Sequence, residues 1–118
     1  MPNPVTHFEI MGGQDNDLQN FYRQAVGWEI NADNPMNYGI VGPQDGKGIG
    51  GGVGPGHEDQ GWVTVYIEVA DPAAVLQKVE QMGGQTIMQP ADVPGGPTIA
   101  QFRDPAGNMV GLVKAGSM

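Results

Sequence analysis

The chain contains no cysteine. Disulfides, thiol nucleophiles, cysteine-bound zinc and iron–sulfur clusters are excluded together. Serine occurs once, as Ser117, so no Ser-His-Asp set can be assembled. Basic residues are few: five Lys and Arg face thirteen Asp and Glu, a net charge of −8. That field repels phosphate backbones and anionic bilayers, which argues against nucleic acid and membrane partners. It mildly favours a cationic ligand. No apolar run approaches the ~20 residues that span a bilayer. The opening Met-Pro-Asn-Pro has neither a basic nor an apolar stretch, so the expectation is no signal peptide and a cytoplasmic protein.

What is present fits one globular domain, 118 residues long and 39% hydrophobic. Gly 20 and Pro 10 make up about a quarter of the chain. They fall between apolar runs rather than in a tract, which reads as turns and bulges. A weak internal repeat places Ile10 on Ile67, Leu18 on Val75, Gly27 on Gly84 and Ile30 on Ile87. Only two copies fit, so one supersecondary unit is duplicated rather than stacked into a solenoid.

Each copy opens with alternating residues, the period of a strand with one apolar face. Val63, Val65, Ile67 and Val69 alternate with Thr64, Tyr66 and Glu68, and Phe8 and Ile10 alternate with His7 and Glu9. A helical period follows. Leu18, Phe21, Tyr22 and Ala25 predict one buried stripe, with Asp15 or Asp17 as cap and Gly27 as stop. Val75, Leu76, Val79 and Met82 predict the other, with Asp71 capping, Pro72 at the first position and Gly83 or Gly84 ending it. Short strands complete each copy, near 28–31, 37–41 and 49–53, then 85–89, 98–103 and 109–114. The fold class is α+β. The single domain, 1–118, comprises two βαβββ modules, 4–56 and 60–115, whose mixed sheets curve into a cup with helices on the outer face.

Polar groups on a sheet face that no helix covers must meet water, a partner or a ligand. His7, Glu9, Thr64, Tyr66 and Glu68 form that face, and a solvated outer surface is the plain alternative. His7 titrates near neutrality and is a candidate ligand contact or base, with Glu9, Tyr66 and Glu68 as weaker catalytic candidates. Trp28, Trp62, Tyr38 and Tyr66 are candidate aromatic walls. Met36, Met88 and Met109 would suit an adaptable apolar pocket, though core or subunit-interface packing is the favoured reading for every Met and Trp. His57, Glu58 and Asp59 lie in a turn-rich connector, where adjacent side chains seldom converge on a metal. Gly46 to Gly51 fits a Gly-x-Gly-x-x-Gly string, but Val53, Gly54 and Pro55 follow it where a dinucleotide site needs a helix.

The order of elements, with His7-Phe-Glu-Ile, Asn20-Phe-Tyr, Gly27-Trp, Gly50-Gly-Gly-Val-Gly-Pro55, Val69-Ala-Asp and Phe102-Arg-Asp-Pro-Ala-Gly-Asn-Met-Val-Gly-Leu112, resembles the vicinal oxygen chelate superfamily. That superfamily holds glyoxalase, bleomycin-resistance proteins and extradiol dioxygenases. The resemblance runs from about Pro4 to Lys114. It implies a ligand cup, a homodimer and, in metal-using members, one His, Glu or Gln donor from each of four strands. Those four positions fall on His7, the Gly50–Gly52 stretch, Thr64 and Gly111. One donor of four survives, so no cofactor is expected and a divalent metal is disfavoured.

The leading expectation is therefore a metal-independent protein that binds a small organic molecule, cationic or aromatic. The site set is His7, Glu9, Tyr38, Thr64, Tyr66, Glu68 and Met109. One alternative is a lyase, isomerase or dioxygenase-like enzyme with a metal-free or non-standard site using His7. Another is a protein-interaction subunit that uses the polar sheet face. Whether the chain is an enzyme stays open at this point.

Overall fold

A computed structural model describes residues 2–56 and 60–117. The chain divides into two compact units, residues 7–64 and residues 65–118 together with 1–6. Their boundaries fall inside the first strands of the two modules. The element order is β1 (Val5–Met11), α1 (Asp17–Val26), β2 (Ile30–Asn31), β3 (Gly39–Val41), β4 (Gly50–Gly54), β5 (Trp62–Val69), α2 (Pro72–Gln81), β6 (Gln85–Asp92), β7 (Thr98–Arg103) and β8 (Met109–Lys114). Two βαβββ modules in an α+β architecture are thus the fold.

In the first module the strands lie in the order β2-β3-β4-β1. β1 and β4 are parallel, with His7 opposite Gly50 and Glu9 opposite Gly52. β4 and β3 are antiparallel, with Gly52 opposite Ile40. One face therefore carries His7, Glu9, Gly52 and Ile40; the other carries Phe8, Gly51 and Val53 and packs under α1. There Trp28 lies 5.4 Å from Phe8 and stacks at 5.1 Å on Tyr22. A Cβ on Gly51 would run into the Phe8 ring, so that glycine gives the ring its seat.

The second module repeats the plan as β5-β8-β7-β6. Its core is Val69, Leu76, Ala100 and Leu112, flanked by Ile67, Val75 and Phe102. α2 starts as its residue types demand: the Asp71 carboxylate accepts from the N–H groups of Ala73 and Ala74, and Pro72 follows. β7 and β8 are joined through Asp104. One of its oxygens accepts from Ala106 N and Asn108 N, and the other accepts from the Asn108 amide. The Asn108 side chain leads the bonds that hold the Asp104 carboxyl below its usual pKa. The N–H of Glu68 donates to Pro4 O at 2.8 Å, tying the start of the chain to this module.

Several sequence expectations fail locally. Asn16 caps α1 without a side-chain bond, and Asp17 is the first helical residue. The expected apolar stripe of α1 is broken: Phe21 is 58% exposed, and the helix's buried residue is Gln19. Met82 leaves the α2 stripe at 72% exposed, and Val63 leaves the apolar face of β5 at 71%. Strands β2 and β3 are shorter than their patterns, because the intervening turn residues take the backbone out of the sheet. The glycine string leads into β4 and opens no helix.

Candidate functional site

Period two on β1 puts His7 and Glu9 on the same face, away from α1. A turn delivers Tyr38 to them. Asn34 clamps its backbone, with Oδ1 accepting from Tyr38 N at 2.9 Å and Nδ2 donating to Tyr38 O at 2.7 Å. Asn37, at φ 53°, turns the chain just before it, a conformation Asn tolerates better than most residues. The Tyr38 ring then lies over Gly52, where any Cβ would collide with its Cζ and Oη.

The hydroxyl of Tyr38 donates to Glu9 Oε2 at 2.9 Å and lies 2.8 Å from His7 Nε2. A phenol has one proton. Since that proton goes to Glu9, His7 must hold its proton on Nε2 and donate it to the Tyr38 oxygen. The neutral ring's lone pair is then on Nδ1. Burial lowers the His7 pKa below its ordinary 6.5 because desolvation disfavours the imidazolium. Imidazole, phenol and carboxylate thus form one ordered hydrogen-bond chain on a half-buried surface.

Three of the seven expected site residues, His7, Glu9 and Tyr38, are therefore brought into direct contact. Thr64, on β5, is buried at 4% exposed. In the second unit Tyr66 is equally buried; its ring lies over Gly111, and its oxygen accepts from Gln101 Nε2 at 3.1 Å. Glu68 is half-buried on the same face of β5, and Met109 is half-buried opposite Arg103. Trp28 is not a ligand wall on this face, since it stacks beneath α1. Met36 is 57% exposed and Met88 half-buried. The His57, Glu58 and Asp59 connector lies outside the described residues.

Three polar side chains that support these groups escaped sequence reading: Gln19, Asn34 and Gln101. Asn34 carries a signal, the Asn-Pro pair typical of turn starts. Gln19 and Gln101 carry none, because a lone Gln in a helix or strand reads as surface.

The profile of the Glyoxalase/Bleomycin resistance protein/Dioxygenase superfamily matches residues 5–112. The chain belongs to that superfamily. Over 69 residues it is 41% identical to the anthracycline biosynthesis protein DnrV of Streptomyces peucetius, a match covering 55% of this chain. The chain spans about a quarter of the length of that relative. A hypothetical protein from Bacillus halodurans shares the fold with a TM-score of 0.66 at 17% identity, covering 100% of this chain and 98% of the other. A Streptomyces coelicolor methylmalonyl-CoA epimerase, solved with 2-nitronate-propionyl-CoA, shares it with a TM-score of 0.65 at 18% identity. That alignment covers 95% of this chain and 96% of the epimerase.

Metal-using members of the superfamily raise the question of a divalent ion. A divalent ion needs several converging nitrogen or oxygen donors. Among the described residues no three His, Asp or Glu side chains gather at one point. At Gly52, within the Gly50–Gly52 stretch suggested by resemblance, and at Gly111, the space a donor side chain would need is filled by the rings of Tyr38 and Tyr66. The residues present do not fit such an ion. Among the described residues no helix is long and apolar enough to cross a membrane.

Proposed function

We propose that this chain binds a small organic molecule on the helix-free face of its first module, through His7, Glu9 and Tyr38 and without a metal or other cofactor. Tyr38 carries the reading: its ring is seated over Gly52 and its hydroxyl is held between imidazole and carboxylate. Such a group offers a flat apolar surface and an oriented polar edge together. Glu9 and the net charge of −8 favour a ligand that carries a cation. The likeness to a protein of anthracycline biosynthesis agrees with a planar aromatic ligand. Thr64 is a further proposed contact of the same unit, and Tyr66, Glu68 and Met109 are proposed contacts within the second unit taken by itself. Cytoplasmic residence and a homodimer are part of the same proposal.

Calorimetry with an amino-sugar anthracycline in excess chelator tests it. Saturable binding that weakens in Tyr38→Phe and on removal of the amine is expected. No saturable binding, or binding abolished by the chelator, overturns it.

A second reading, a metal-free lyase or isomerase, is favoured by one observation. The neutral His7 imidazole belongs to a hydrogen-bonded chain of a kind that moves a proton to or from a carbonyl compound. Proton exchange into a bound ligand, lost in His7→Gln, would convert the binding protein into an enzyme.

A further inference from the structure

We infer that Gln19 is a positioning residue, whose buried side-chain amide fixes the peptide before Tyr38 and so sets where the Tyr38 hydroxyl meets His7 and Glu9. The inference rests on the reading that these three residues form the binding site.

Gln19 is 1% exposed, a polar side chain at the place on α1 where packing alone would favour an apolar one. Its Nε2 donates to Asn37 O and to Val53 O, both at 2.9 Å. Both partners are carbonyl acceptors, so the nitrogen is assigned by chemistry rather than by choice. Oε1 is buried with no hydrogen-bond partner among the described residues. A buried amide that leaves one acceptor unpaired is a poor choice for stability alone.

Locally the amide bridges the turn before β3 and strand β4. One bond reaches Asn37, whose carbonyl belongs to the peptide that begins Tyr38. The other reaches Val53, the β4 residue next to Gly52, where the Tyr38 ring rests. Gly39 clears the path: a Cβ there would come within 2.9 Å of Gln19 Nε2 and 2.6 Å of Val53 O. Asn37 adopts φ 53°, and its carbonyl is the one that meets the amide. Asn34 holds Tyr38 through its own N–H and carbonyl. Tyr38 is thereby held on both sides, and Gln19 supplies the side that faces the core. Gln19 acts on Tyr38 through the 37–38 peptide.

The test is made on the ligand-free full chain by nitrogen NMR of His7. In the parent protein the ring is expected in the Nε2–H tautomer. Gln19→Met, close in volume but without donors, is expected to release Tyr38 and mix the tautomers. Tyr38→Phe should do the same, and adding Gln19→Met to Tyr38→Phe should change His7 no further. A residue that only packs would lower the melting temperature and leave the tautomer alone; that result overturns the inference. Should Gln19→Met not fold, the parent protein decides. Its Gln19 amide protons must be slow to exchange and close to the Tyr38 backbone, and fast-exchanging protons overturn the inference. Because no ligand is used, loss of anthracycline binding and loss of Tyr38 positioning are separate results.

Discussion

Gly52→Ala tests the seating of Tyr38 without touching any group that bonds to it. Gly52 is buried on β4 and its φ is not positive, so Ala meets no backbone strain there. The effect is steric alone: the new methyl falls on Cζ and Oη of the Tyr38 ring. Forcing extra volume into a packed position costs about 1–3 kcal/mol. If the ring swings out instead, two hydrogen bonds go, those of the hydroxyl with Glu9 and His7. A neutral bond contributes about 0.5–1.5 kcal/mol net and one to a charged group about 1.5–3 kcal/mol. The protein takes the cheaper route, so a loss of about 1–3 kcal/mol is expected. At ~2.1 cal/mol/K per residue, 118 residues unfold with about 0.25 kcal/mol/K of entropy. The melting temperature should therefore fall by roughly 4–12 °C. In a Tyr38→Ala background the same methyl has an empty place to occupy, and Gly52→Ala should cost under about 0.5 kcal/mol. Calorimetric melting of the four proteins closes the cycle. Equal penalties in both backgrounds would refute the account of Gly52 as a seat for the ring.

The remaining predictions concern the same structure elsewhere. Leu112→Ala removes a side chain 1% exposed at the centre of the second module's core and should cost about 3–5 kcal/mol in denaturant melts. Asp71→Ala removes the acceptor for two N–H groups at the start of α2 and should cost about 1 kcal/mol by the same assay. His7 has a lowered pKa when folded, so the unfolded chain takes up a proton first as pH falls. Its contribution is intact above about pH 6.5 and is lost on acidification through that value and below. Comparison of melting across that window should show a flatter profile for His7→Gln than for the parent.

Much of the second module was legible because local signals agreed with the tertiary outcome. Thr98–Arg103 and Met109–Lys114 read as strands on either side of a turn whose residue types demand it, and Asp104 and Asn108 close that turn. Asp71-Pro72 announced α2. The first module was harder. Its turn residues cut β2 and β3 short, and a polar Gln19 took the place of the expected apolar stripe. His7 and Glu9 were legible as one strand face, but their partner Tyr38 lies 31 and 29 residues away. No periodicity encodes a contact at that separation. Gly52 and Gly111 likewise read only as positions without a donor, whereas each turns out to receive a tyrosine ring.

The most direct measurement of the central claim is a titration of the planar aromatic amine against the full chain and its Tyr38→Phe variant, both in excess chelator. Saturable binding by the parent, weakened about tenfold in the variant (about 1.4 kcal/mol), is the expected result. Equal affinity for both proteins would contradict it, and so would binding that returns only when a divalent ion is added.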